Sequence, residues 1–360
     1  MTIDFIPIHQ YNNIFFHIVL FFTLATILHL FSNKITDIRN LTYIKIAGIL
    51  LLLIVLLYMG LRPIHIVFID MPGYYRIFTF YAEGNPIVST KDYLFHLFMM
   101  LSSRIMTAHQ FFLSCTIIYV TPLYFASKKW FKQYWFYAFL MLVGSFSFWA
   151  YGVNGIRNGI ATSFFLLAIS REKRLWQLAW MILAVNFHTT MLLPSLGFIA
   201  TWFYNKTNAF YYFWFLSILL SLALPGFWEN LFAGLVEDER ASYLVTQADQ
   251  RDFSRVGFRW DFLIYSASGV FAGWYYIYKR KYTDKIYIQL FNTYLFANAF
   301  WILVIRANFS NRFAYLSWFM LALVIIYPWL KVYIVRIQER KLAWIILSYF
   351  MFTYLMAIIL

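Results

Sequence analysis

Apolar runs long enough to cross a membrane recur from one end of this chain to the other. Nothing else constrains the fold as much. The hydrocarbon core of a bilayer is about 30 Å thick and takes roughly 20 helical residues to cross. Within it every backbone N–H and C=O must find a partner in the protein. A helix does so inside one segment, whereas a β-barrel needs strands whose apolar and polar residues alternate. Here the runs are continuous, which selects helices. The composition agrees, with 62% hydrophobic and 12% charged residues, where a soluble domain has about half and a quarter.

The runs predict spans at about 14–31, 43–60, 109–126, 134–151, 155–170, 175–188, 189–204, 209–226, 261–278, 286–305, 312–330 and 342–359. A further stretch, Tyr93–Met106, is too short to span and carries Arg104, so it is read as an interfacial or re-entrant helix. The expected fold is all-α. It is a polytopic membrane helical bundle of about 12 transmembrane helices plus that short helix, with two long outer loops and one integral-membrane domain over residues 1–360. No linker, internal repeat or low-complexity segment divides it. The N-terminus has no basic stretch before the first run, so that run is expected to be a retained span and not a cleavable signal. The single cysteine, Cys115, excludes an intramolecular disulfide and a thiol metal site.

The net charge of +14 is no argument for nucleic acid, because membrane proteins keep Lys and Arg in the loops that stay in the cytoplasm. Alternate connections here are basic: Ser32–Asn40 with Lys45, Ser127–Gln133, Arg171–Arg174, Lys206, Lys279–Lys285 and Lys331–Lys341. Placing them inside puts 12 Lys and 6 Arg there and leaves 1 Lys and 10 Arg outside, with both termini outward. The outer cations are thus almost all arginine. Arg holds phosphate or carboxylate in a fixed fork, while Lys acts as a hydrated point charge. Eleven of the 15 acidic residues also fall outside. Two outer loops are long for a bundle. Leu61–Asp92 carries Arg62, Asp70, Tyr74, Tyr75 and Arg76; Phe227–Trp260 carries Glu237, Asp238 and Glu239, then Arg240, Arg251, Arg255 and Arg259. Their aromatic residues fit interface anchors or sugar-stacking platforms. The loop arginines Arg251, Arg255 and Arg259 fit contacts to a glycan or a lipid head group.

Three constellations carry possible chemistry. In Asn154-Gly155-Ile156-Arg157-Asn158-Gly159 an arginine opens an inward-running helix. Its free N–H groups and partial positive charge make a phosphate seat with Arg157. The competing reading is a small-residue packing face with Arg157 reaching to the surface. Arg306-Ala307-Asn308-Phe309-Ser310-Asn311-Arg312 repeats the layout, so two such starts would hold the two phosphates of a diphosphate. His188, in Asn186-Phe187-His188-Thr189-Thr190, ends one of several spans of only about 14–16 residues. Such spans leave their outer ends below the membrane surface, lining a recess. There His188 would move a proton or donate to phosphate, or simply satisfy a helix turn. Asp70 precedes Met71-Pro72-Gly73 and suits a general base near the surface or a partner that orients an arginine; Asp92, Asp252 and Asp261 are weaker candidates. No His, Cys or carboxylate cluster has metal-ligand spacing, and no phosphate-binding glycine loop, dinucleotide fingerprint or nucleophile elbow is present.

In this order of features the chain resembles the EpsG-like family of Wzy-type polysaccharide polymerases. Asn154 to Ala161 carries the likeness most clearly, followed by the basic turn Arg171–Arg174 and the run closing on Phe187-His188. Asn311-Arg312 before a run ending in Tyr327-Pro328 also matches. Where the family has Gln after Gly-Ile-Arg, this chain has Asn158, an amide with shorter reach. The resemblance implies that a growing glycan on undecaprenyl diphosphate is transferred to the non-reducing end of a lipid-linked repeat unit. The reaction is placed at the outer, periplasmic face of the bacterial inner membrane, beside a flippase and a chain-length regulator. No cofactor is implied. In that chemistry Arg157 and Arg312 stabilise the departing diphosphate, and His188 or Asp70 is the base. Asn154, Asn158, Asn311, Tyr74, Tyr75 and Arg76 join the loop arginines as substrate contacts. The rivals are an O-antigen ligase, a transferase using a polyprenyl-phosphate sugar, and a lipid-oligosaccharide flippase. A flippase places charges mid-span; here they sit at outer ends.

Overall fold

The computed structural model describes residues 3, 5–87, 89, 91–235, 257–307 and 310–358. Among them there are helices and no strands. In chain order they are α1 (Tyr11–Ser32), α2 (Ile38–Gly60), α3 (Met71–Ala82), α4 (Tyr93–Ser103), α5 (Ala108–Phe131), α6 (Trp135–Val143), α7 (Phe146–Val153) and α8 (Ile156–Ile169). Next come α9 (Arg174–Phe187), α10 (Leu192–Phe203), α11 (Thr207–Ala223), α12 (Phe227–Leu235), α13 (Trp260–Trp274), α14 (Lys285–Leu303), α15 (Ser310–Lys331) and α16 (Gln338–Ile358). Every predicted run falls on helix, and the stretch Tyr93–Met106 becomes the short α4.

The chain is built from helices that are apolar all round. In α1 the buried residues Tyr11, Phe15, Val19, Phe22, Thr26 and Leu30 recur every three or four positions, as one helix face requires. Yet the opposite face shows Phe21 at 66% and Leu28 at 71% exposure. Apolar side chains facing both ways mark a helix whose surroundings are also apolar.

Among the described residues, six helical stretches are long and apolar enough to cross a membrane: Ile8–Ser32, Ile38–Gly60, Ala108–Val143, Lys285–Leu303, Arg312–Lys331 and Gln338–Ile358. The other expected spans are shorter helices, α8 and α9 having 14 residues each. The run expected as one span at 134–151 is broken into α6 and α7. Gly144 ends the first helix on the Leu140 carbonyl, and Ser145 takes an extended ψ of 148° before the chain turns helical again. Phe350 lies 3.0 Å from where a Cβ on Gly144 would stand, so a neighbouring helix presses into the break.

The chain forms two compact units, residues 1–192 with 329–360, and residues 193–328. In the first, α1 lies against α16, α5 against α2, α6 and α8, and α8 against α9. Its basic turns share one end. The Ile35 amide donates to Glu339 (3.2 Å), joining the α1–α2 turn to the start of α16, and Lys129 pairs with Glu172 (2.6 Å), joining the end of α5 to the α8–α9 turn. At the other end Trp149 donates to Asn12 (2.9 Å).

The second unit is tied by polar side chains inside an aromatic core. Trp214 of α11 donates to Asn298 of α14 (2.8 Å), which donates to Ser317 of α15 (2.9 Å). Trp318 donates to Ser266 (2.6 Å), with Phe262, Tyr265 and Trp301 around its ring. Such bonds between helices hold a bundle together where no hydrophobic contrast with the surroundings is available. Its basic turns also share an end, since Asn292 of α14 donates to Asn205 beside Lys206 (2.7 Å).

Candidate active site

The first unit brings four separated segments together around one carboxylate, Asp92. Its backbone has φ 52°, in the left-handed region that Asp tolerates better than most residues. It precedes α4 but makes no side-chain cap there. The carboxylate turns away from α4 toward other segments, and Asp92 is only 3% exposed. One oxygen accepts from Arg157 (2.8 Å), the other from the Thr189 amide (3.0 Å). His188 Nε2 stands 4.0 Å away. A carboxylate this buried needs such partners, because an isolated charge away from water is costly.

Arg157 sits in the first turn of α8. That turn is possible because α7 and α8 meet closely at glycine: a Cβ on Gly159 would lie 2.6 Å from the Tyr151 carbonyl oxygen. Gly159 therefore serves the close approach of two helices, as the packing-face reading of this stretch expects. The Arg157 side chain is 22% exposed, and its guanidinium lies 5.8 Å from the Tyr74 ring centre. Its Nε is buried without a hydrogen-bond partner among the described residues. Burial pushes the Tyr74 phenol up, partly offset by Arg157. The charge of Asp70 also reaches Arg157 and Tyr74.

His188 is held in place. Its Nδ1 accepts from the Thr190 amide (3.3 Å) and lies 2.8 Å from the Thr190 hydroxyl, which bonds Asn158 Oδ1 (3.0 Å). With Nδ1 accepting, a neutral ring carries its proton on Nε2, facing Asp92. Only 2% of His188 is exposed. A second imidazole, His96 of α4, bonds Tyr81 (2.9 Å). Burial and the Arg157 charge hold it below the ordinary imidazole range, against the pull of Asp92.

Arg157, Asn158, His188, Tyr74 and Asp70 thus converge. Asn154 lies one turn before Arg157, its Oδ1 buried without a partner among the described residues. Tyr75 and Arg76 follow Tyr74 on α3 but take its exposed face. In the second unit Arg312 is exposed in the first turn of α15, the helix that Asn311 also joins. Arg259 precedes α13 and makes two bonds to Asp261 (2.8 and 3.0 Å), with its guanidinium 3.6 Å above the Phe262 ring. Arg251 and Arg255 lie outside the described residues.

Asp92 is the residue that sequence reasoning underrated. An Asp just before an apolar run signals a helix cap, and nothing local shows the carboxylate reaching to residues 65 and 97 positions away. Thr190, Tyr81 and His96 were missed for the same reason. Among the described residues no three His, Cys, Asp or Glu side chains gather as metal ligands would.

Chemically, the cluster offers a guanidinium paired with a buried carboxylate and still 22% exposed. The half-buried carboxylate of Asp70 interacts with it electrostatically. Such a site suits an anion and a neighbouring proton acceptor. Residues 45–360 match the model of the EpsG family. No curated protein and no solved structure matches the chain.

Proposed function

The chain belongs to the EpsG family, and from that premise we propose that it is a metal-independent membrane polysaccharide polymerase of the Wzy type. It moves a growing glycan from undecaprenyl diphosphate to a hydroxyl at the non-reducing end of a lipid-linked repeat unit, at the outer face of the bacterial inner membrane. The product is an O-antigen, capsule or exopolysaccharide, made beside a flippase and a chain-length regulator. The observation that carries the reading is Arg157, fixed by buried Asp92 yet itself 22% exposed. A donor already aimed at a departing diphosphate stabilises charge as it develops, without reorganising during the reaction.

The geometry supports distinct roles. Asp92 positions Arg157 and faces His188; being enclosed, it is a poor acceptor for a sugar hydroxyl. His188 is likewise enclosed, and its bond to Thr190 favours an orienting part. Asp70 is half-buried, so a substrate hydroxyl can reach it more readily than it can reach enclosed Asp92 or His188, and it is the base we assign. On the sequence reading alone, Arg312 and Asn311 are assigned to the departing diphosphate, and Tyr75, Arg76, Arg251 and Arg255 to the glycan.

The test is reconstitution of the purified protein with lipid-linked repeat units alone. A polymerase yields a ladder of lengths. A single product that appears only with a different acceptor would indicate a ligase, and no product with translocated substrate a flippase. Cells lacking the protein should accumulate single repeat units.

A further inference from the structure

A groove of about 920 Å³ runs along the first unit, between α5, α8 and α9. Most of its wall is apolar, from Ile117, Phe125, Phe164, Leu167, Leu183 and Phe187. One end differs. There Lys128 and Lys129 of α5 and Arg171, just after α8, gather at the basic turns. From Ile118 to Lys129 the helix rises about 16 Å, roughly half of a ~30 Å hydrocarbon core, or one leaflet.

The three cations are not equally committed. Lys129 is bound to Glu172 (2.6 Å). Among the described residues Lys128 donates to a phenol, Tyr124 (3.0 Å), and meets no carboxylate. Arg171 bonds through Nε and Nη2 to Ser170 and the Leu167 carbonyl, which leaves its positive charge unbalanced by either contact. One carboxylate therefore faces three cations. A polyprenyl tail, neutral at its far end, has no use for charge there. A lipid with an anionic head and an acyl chain one leaflet long matches both the lining and the rim, since basic pockets between membrane helices attract such heads.

We propose that this groove binds one anionic glycerophospholipid, its phosphate at Lys128 and Arg171 and an acyl chain along Phe125, Leu167 and Leu183. The basic rim lies at the start of α9 and His188 at its end, so the proposed phosphate seat stands apart from the cluster around Asp92, although Phe187 of the groove wall adjoins His188. Its occupant belongs to the leaflet beside the basic turns.

The full-length protein in nanodiscs made from equal phosphatidylglycerol and phosphatidylcholine supplies the test, with native mass spectrometry reading the lipid retained. We expect phosphatidylglycerol to be retained several-fold over phosphatidylcholine. The double variant Lys128→Gln/Arg171→Gln should lose that preference, and Leu183→Trp, which fills the groove, should lose the retained lipid. Glu172→Gln should strengthen phosphatidylglycerol retention by freeing Lys129, and a gain cannot arise from misfolding. Equal retention of both lipids, a polyprenyl chain as the retained species, or no gain with Glu172→Gln would each overturn the proposal.

Discussion

Two arginine–carboxylate pairs in this molecule have the same separation and opposite meanings. Arg157 meets Asp92 at 2.8 Å, and Arg259 meets Asp261 at 2.8 Å. The arginines are similarly exposed, at 22% and 21%. The carboxylates are not: the Asp92 side chain is 2% exposed and that of Asp261 is 23%. Asp261 sits two residues from Arg259, so the helix start itself brings them together. Asp92 is 65 residues from Arg157 and must be delivered by the fold. A short distance therefore says little about a charge pair. What matters is how enclosed the partner is and what brought it there.

The largest expected effect is at Arg157. Arg157→Ala leaves Asp92 buried without its main partner, which costs about 3–5 kcal/mol. It should also cut polymer formation by roughly 100- to 1,000-fold. The ladder assay and thermal unfolding in detergent separate the two effects. A normal ladder from this variant would remove Arg157 from the chemistry. Asp92→Asn keeps the shape and removes the charge. It should cost about 1–3 kcal/mol and slow polymerisation less than Arg157→Ala does; equal loss would place Asp92 in contact with substrate. Gly159→Ala pushes a methyl toward the Tyr151 carbonyl and should destabilise by about 1–3 kcal/mol, lowering activity through the position of Arg157. Unchanged stability would show that α7 and α8 can part without harm. The smallest effect belongs to Arg259→Ala, about 1 kcal/mol as for a pair both of whose members water still reaches, with a normal ladder. Loss of polymer at normal stability would make Arg259 a substrate contact after all, and the contrast between the pairs would fail.

Much of the fold was legible because membrane helices announce themselves by length and apolarity. The run at 14–31 became Tyr11–Ser32, and that at 312–330 became Ser310–Lys331. The break at Gly144 and Ser145 was not legible, since apolar residues continue on both sides and the side chain packed against it, Phe350, is far along the chain. The Gly-Ile-Arg-Asn-Gly stretch marked the site through its residue types. Asp92 stayed hidden, because an aspartate before a helix has a common local use and its actual partners are tertiary. Arg312 and Arg157 looked alike in sequence, each opening a helix after a short polar turn. They differ in enclosure, which is a property of neighbours.

Helices α8 and α9, at 14 residues each, extend about 21 Å. A bilayer crossed by such a pair is mismatched by roughly 9 Å against a ~30 Å core. Thinning a membrane costs a fraction of a kcal/mol per Å, so were the pair to cross it, that cost would fall around the turn that holds His188. The thickness of the surrounding lipid would then be a variable that acts on the protein as a solute would.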